Sequence, residues 1–406
     1  MNFSKKDLYN LMLFTMLGLV VFSPVSSILS MSFLHLPLAL PELFFLPFCF
    51  LLRRKFCSVK IKVRVISNAA FLFTVLLLCA IFSATFSLFA ILSNARAWIY
   101  LLLFFCLFRY DNDITLEDFK YLAVGSLIGW TGACLFNINN FILVGDYHIN
   151  VTYGLMLSLP LFYSIVIYKK EKSLLTLGLI LTMIIIIFCG TRRVILIATI
   201  SIFTSILIIG IIKKKSILLY TLITCFAIIL INTAMPVIEN VVQEISPHLH
   251  FRLFTRTKTL INEGVEASQD DVRFSILSST YEEMEKSCLP NGFISMQTDS
   301  DKSIGHYNDY PLTMLMWIFS WPIAFLILLY IMKITAKNIK AALKTGELPP
   351  FISSICLLTM LLLLFLDGSF ITYAYATPIT GALLGLSIKT ANNVNYKKCY
   401  DYKTKP

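Results

Sequence analysis

The chain has 406 residues, of which 57% are hydrophobic and only 14% charged, with a mean hydropathy of +0.79. A water-soluble domain usually carries about 25% charged residues, so composition argues against one and leaves apolar runs long enough to cross a bilayer as helices. The net charge of +11 and pI near 9.1 do not point to nucleic acid, because the Lys and Arg residues cluster in short stretches between apolar runs, as in cytoplasmic loops facing an anionic leaflet.

Lys5 and Lys6 precede the first apolar run, 9–29. No small-residue cleavage site clearly follows it, so this run is expected to stay as an anchor. The second run, 35–52, holds Pro37, Pro41 and Pro47 and reads as kinked or re-entrant. Further runs follow at 67–92, 97–109, 121–144, 151–168, 174–191, 194–212 and 216–237. A long hydrophilic stretch, 238–311, separates these from three more runs at 312–332, 351–367 and 374–389 and a polar tail, 390–406. The expected fold is an all-α transmembrane bundle of about twelve spans. Nine fall within 1–237, a large and partly helical loop occupies 238–311, and three spans lie within 312–389.

With the N-terminus inside, 25 of the 34 basic residues fall in inside loops and tails, the asymmetry that sets orientation. The nine outside are Arg96, Arg192, Arg193, Arg252, Arg256, Lys258, Arg273, Lys286 and Lys302. Both termini are therefore expected inside. Six of those nine are Arg, whereas Lys dominates inside. A planar guanidinium fork is what bidentate phosphate recognition requires. Nine of the ten cysteines lie in apolar runs or on the inside; Cys288 alone falls in the large loop, which therefore has no internal disulfide, and no paired CxxC spacing suggests zinc.

The loop is too long for a plain connection and reads as functional. Within it, residues 271–288 place Val272, Ile276, Leu277, Tyr281, Met284 and Cys288 at broadly helical spacing. Asp270 or Asp271 is suited to cap this helix, and Pro290-Asn291-Gly292 to end it. An amphipathic helix lying over the membrane domain is expected.

The candidate chemistry sits on the outside. Gly190-Thr191-Arg192-Arg193 stands at the junction of two apolar runs, with almost no loop to let the arginines retreat. Interfacial snorkelling is the plain reading; two fixed guanidinium groups at the membrane surface form an anion site. Arg273 stands near the start of the loop helix, where taken alone the plain reading is a surface Arg paired with Asp270 or Asp271. His306, in Ser303-Ile304-Gly305-His306-Tyr307-Asn308-Asp309-Tyr310, has a side chain suited to take a proton from a hydroxyl near neutral pH. Arg252 and Arg256 stand at i, i+4, the spacing of a further cationic stripe, although a solvated helix face or headgroup contact is the favoured reading. Asp367 lies near the outer end of a span, where an acid is costly and usually paired; it is suited to orient Arg192 or Arg193 or simply marks the boundary. Asp146, His148, His248 and His250 show no metal-ligand spacing. There is no P-loop, GxSxG or HExxH motif, and few ionisable residues interrupt the spans, which weakens an ion-coupled transporter.

These residues resemble the bacterial O-antigen polymerases and O-antigen ligases, best over 174–389. The resemblance rests on an Arg motif after an apolar span (Gly190-Thr191-Arg192-Arg193), an Arg opening a loop helix (Arg273), a Pro-x-Gly turn (Pro290-Asn291-Gly292-Phe293) and a His-Asn pair before the next span (His306 and Asn308). Tyr307 separates the last two, where the family has them adjacent. The resemblance implies a multi-pass protein of the bacterial inner membrane with a periplasmic active site. Its donor would be an oligosaccharide on undecaprenyl diphosphate, with a flippase and a chain-length regulator as protein partners and no cofactor. Arg192, Arg193 and Arg273 are then expected to bind the diphosphate. Arg273 and His306 stand as the catalytic pair, His306 deprotonating the acceptor hydroxyl, with Asn308, Asp367, Arg252 and Arg256 in support. Arginines can neutralise a diphosphate leaving group without a metal, and direct attack on the anomeric carbon inverts it. The acceptor is a second lipid-linked repeat unit for a polymerase and lipid A-core for a ligase. A lipid-linked oligosaccharide flippase is the alternative from another class.

Overall fold

The structure is a computed structural model. It describes residues 5–25, 88–110, 116–136, 155–189, 192–212, 236, 239–244, 247–255, 258–259, 262, 271–285, 289–293, 295–297, 303–305, 310–365, 371 and 376–403. Among these the chain is helical apart from one small hairpin. In order the helices are α1 (Lys5–Val20), α2 (Leu88–Tyr110), α3 (Leu116–Phe136), α4 (Leu155–Lys169), α5 (Lys172–Cys189) and α6 (Arg192–Ile212). After them come α7 (Pro247–His250), a π-helical turn at Phe251–Thr255, α8 (Asp271–Glu285) and strands β1 (Ser295–Gln297) and β2 (Ser303–Gly305). Helices α9 (Pro311–Phe319), α10 (Trp321–Thr345), α11 (Leu348–Phe365) and α12 (Thr377–Lys403) close the chain.

Three helical stretches are long and apolar enough to cross a bilayer: Val194–Ile212, Trp321–Thr345 and Leu348–Phe365. Leu8–Val20, Leu155–Lys169 and Lys172–Ile186 are shorter apolar helices. A helix satisfies its own backbone groups, the condition hydrocarbon imposes on any spanning segment.

Helix α4 is the axis of the bundle. Every residue from Leu155 to Val166 is buried, and a helix apolar all round must be enclosed. It packs against α3, α5, α6 and α11. Its polar side chains find partners: Ser158 Oγ lies 2.7 Å from Ser126 Oγ of α3, and Tyr163 OH 2.8 Å from Thr182 Oγ1 of α5.

Two crossings bring backbones into contact through glycine. On α1 and α3, a β-carbon at Gly18 would strike the Leu122 carbonyl, and one at Gly125 the Thr15 carbonyl. On α12, β-carbons at Gly381 and Gly385 would meet the carbonyls of Leu101 and Phe105 on α2. Small residues four apart permit such close packing in membranes. Thr15 meets Gly125 and Ser23 meets Gly129, as Leu101 meets Gly381 and Phe105 meets Gly385; partner numbers rise together, so each pair runs parallel. Helix α1 ends at Val20, and the Phe22 carbonyl just beyond accepts bonds from Ser126 Oγ at 2.8 Å and Trp130 Nε1 at 3.2 Å. Those side chains satisfy an acceptor that the helix end leaves open.

One end of the bundle gathers helix C-termini. Tyr168 OH, at the end of α4, donates to the Gly346 carbonyl after α10 at 2.5 Å. A β-carbon at Gly346 would lie 3.2 Å from Ile212, the last residue of α6. Lys120 and Glu171 form a 2.8 Å ion pair between the start of α3 and the α4–α5 turn. Because α6 and α10 run about 30 Å and 37 Å from this end, their N-termini point to the opposite one.

Several expected boundaries are corrected. Arg96, expected in a short outside connection, lies inside α2, because Leu88–Tyr110 contains no Gly or Pro to interrupt the helix. The expected span 312–332 is two helices: α9 stops at Phe319, Ser320 adopts φ 79° and ψ 154°, and α10 starts at Trp321. Pro322 has no N–H to donate into a preceding turn, so a helix restarts there. Lys333, Lys337, Lys340 and Lys344, expected in a loop, extend α10 to Thr345. The expected tail likewise continues α12 to Lys403.

Candidate functional site

The large loop contributes α8, β1 and β2; α8 and β2 come back to the bundle, and β1 pairs with β2. Helix α8 begins at Asp271, where a carboxylate favours the N-terminal turn, and follows the expected amphipathic stretch. Thr280 and Met284 are buried, and Tyr281 OH lies 3.2 Å from Thr313 Oγ1 on α9. The hairpin pairs Ser295 with Gly305 and Gln297 with Ser303, and β2 touches both α8 and α9. A hairpin of this length was not legible from the sequence; three-residue strands carry too little alternation to read.

The Pro290–Phe293 turn is the point of attachment. In an unbroken helix the Trp317 carbonyl would accept from the N–H of Trp321. The break at Ser320 releases it, and the Asn291 N–H donates to it at 3.0 Å. Gly292 takes φ 72°, a left-handed conformation that costs a residue without a β-carbon little. That turn carries Phe293, 2% exposed, to Trp98 of α2 at a centroid distance of 6.3 Å, while Trp98 stacks edge-on against Phe319 at 5.0 Å. The loop is thus latched onto a helix break by one backbone bond and three aromatic rings. Phe293→Ala leaves a cavity costing about 3–5 kcal/mol if the surroundings do not relax. Limited proteolysis is expected to cut the loop of that variant faster than the parent's, with the bundle intact; equal cleavage would mean the loop is held elsewhere.

Arg192 and Arg193 are the first two residues of α6, and Arg273 is the third residue of α8. Their backbones are described; their side chains lie outside the described residues. Arg252 falls in the π-helical turn on the same terms. His306, Asn308, Asp367 and Arg256 lie outside the described residues. Two ties bear on the geometry. Helix α6 presents its N-terminus to the end of the bundle opposite the Tyr168–Gly346 bond, the end toward which α10 also starts. The Arg273 helix docks on α9, just before α10. An α-helix N-terminus carries partial positive charge and free N–H groups, so arginines there add to a field that already favours anions.

A cluster that no sequence motif signals lies elsewhere in the loop. His250 Nε2 is 3.1 Å from Glu239 Oε1, and its Nδ1 is 3.3 Å from Thr255 Oγ1. Lys258 Nζ reaches both Glu239 oxygens at 2.7 and 2.8 Å. Phe254 stacks on the imidazole at 5.7 Å. Eleven and nineteen residues separate these partners from Glu239, too far apart for local periodicity to join them. The hydrogen bonds from Lys258 and then His250 hold the Glu239 carboxyl below its ordinary value of 4.5. A carboxylate so depressed supports the folded loop above that value and loses its contribution as pH falls through its lower folded value. Proteolysis of 239–258 is therefore expected to speed up on acidification below about 4.5. Glu239→Gln should show fast cleavage already at neutral pH and a flatter pH response; an unchanged profile would remove this clip from the loop's stability.

In comparisons with known proteins, no family model, no curated protein and no solved structure matches the chain.

Proposed function

We propose that the chain is a bacterial inner-membrane protein of about twelve spans that polymerises a surface polysaccharide. Its reaction would be glycosyl transfer from one undecaprenyl-diphosphate-linked oligosaccharide to another at the periplasmic face. The observation that carries the reading is the arrangement of external arginines. Arg192 and Arg193 open an apolar helix, and Arg273 sits in the first turn of a loop helix packed against the membrane domain. Guanidinium groups at a membrane surface suit a lipid-borne diphosphate.

The chemistry then follows. The arginines bind the diphosphate and stabilise the charge that develops on it as it leaves. His306 removes the proton from the acceptor hydroxyl as that oxygen attacks the anomeric carbon. Asn308 and Asp367 orient these groups. The bond formed is glycosidic, the bond broken joins sugar to diphosphate, and the anomeric centre inverts. Transfer of labelled glycan between lipid carriers by the purified chain in detergent tests the reaction. Longer lipid-linked products support polymerisation, and transfer to lipid A-core would assign the ligase reaction instead. Absence of transfer with intact folded protein overturns the reading.

A further inference from the structure

Helix α10 changes character along one exposed face. Its first half presents Phe325, Leu326, Leu329 and Met332, each between 45% and 64% exposed, as a bilayer-facing surface would. Below Met332 come Lys333, Lys337, Lys340 and Lys344, all exposed. At 100° per residue these four fall within an arc of about 60°, and they extend about 16 Å along the axis. The opposite face is fastened down: Ile331, Ile334, Ala341 and Ala342 are buried, and Asn338 Nδ2 donates to the Ser387 carbonyl of α12 at 3.1 Å. The lysines therefore cannot rotate inward. Among the described residues no carboxylate pairs with them.

Beside the lysines, Ala336, Ile339 and Leu343 form an open aliphatic strip on the same helix, next to Lys340 and Lys344. The same face is thus apolar above and basic below, with an aliphatic strip beside the charges. That sequence of environments matches a lipid with an anionic head, and it does not match a soluble polyanion, which has no use for the apolar half. Four ammonium groups without a carboxylate partner among the described residues give the charge complementarity.

We propose that this face of α10 binds an acidic phospholipid of the leaflet at the Gly346 end of the bundle. Its phosphate lies among Lys337, Lys340 and Lys344, Lys333 reaches down from above, and an acyl chain runs along Leu329 and Met332. The proposal rests on α10 crossing a bilayer and is independent of the glycosyl-transfer reading.

The test uses the full chain, purified and placed in nanodiscs of phosphatidylcholine with a minor fraction of phosphatidylglycerol, and native mass spectrometry counts the lipids it retains. The parent chain is expected to enrich phosphatidylglycerol. Changing all four residues (Lys333→Gln, Lys337→Gln, Lys340→Gln and Lys344→Gln) should abolish that enrichment, each lysine contributing up to about fivefold, with phosphatidylcholine retention unchanged. The corresponding four Lys→Arg changes should keep it. Equal enrichment by the Gln variant, or release of the lipid by inorganic pyrophosphate, would overturn the proposal, the latter showing a site for a free anion. Because the readout is lipid retention, failed transfer activity does not bear on it.

Discussion

Replacing His306 with alanine is expected to lower glycan transfer by about 10²- to 10⁴-fold, the usual worth of a positioned general base, while leaving affinity for the lipid-linked donor unchanged. The split follows from role. An imidazole that accepts the acceptor's proton works only as the new bond forms, so its loss falls on turnover. A His306→Gln variant retains polar contact without a basic nitrogen of useful pKa and should be nearly as impaired. Raised pH offers partial rescue, because more of the acceptor is then ionised without help. Steady-state rates with purified protein and separate donor-binding titrations check this. Full activity of the alanine variant removes His306 as the base, and Glu239–His250, the imidazole–carboxylate pair described in the same loop, becomes the next residue set to examine.

Removing guanidinium groups should act on the other side of that split. Arg273→Ala, or Arg192→Ala with Arg193→Ala, is expected to weaken donor binding by roughly 10- to 100-fold for each guanidinium taken away from the phosphates. Turnover should fall as well, since charge accumulates on the departing diphosphate. Lys at the same positions restores point charge without the planar fork, so an intermediate affinity is expected. Titration with a fluorescent undecaprenyl diphosphate reports the binding directly. If the Arg192/Arg193 double variant binds the lipid as well as the parent chain, those arginines are interfacial anchors, the role that exposed cationic side chains at a helix end often have.

Much of the helical framework is legible from apolar run length alone. The runs at 151–168, 174–191 and 194–212 correspond to α4, α5 and α6 within a few residues, because hydrocarbon leaves a chain little alternative to helix. The loop helix could be read as well, from its spacing and from the Pro-Asn-Gly that follows it. Where legibility ended, the cause was tertiary. Ser93-Asn94-Ala95-Arg96 looks like a polar turn, yet α2 runs through it because no residue there stops a helix. The Ser320 break could be suspected from Pro322, but the bond from Asn291 to the Trp317 carbonyl that the break frees joins residues 26 apart in sequence. No periodicity encodes that. The glycine contacts that pair α1 with α3 and α2 with α12 are equally silent in one dimension, since a small residue does not announce its partner. For the site, residue types and order are visible in the sequence; mutual distances are not.

On the proposed mechanism the arginines hold the diphosphate and the imidazole faces the other side of the same anomeric carbon. An experimental structure of the chain with undecaprenyl diphosphate bound measures this most directly. The account predicts Arg192, Arg193 and Arg273 in direct contact with the diphosphate, and His306 on the opposite side of the anomeric carbon from the leaving oxygen. A diphosphate bound away from these guanidinium groups, or His306 separated from it by the bundle, would contradict the account.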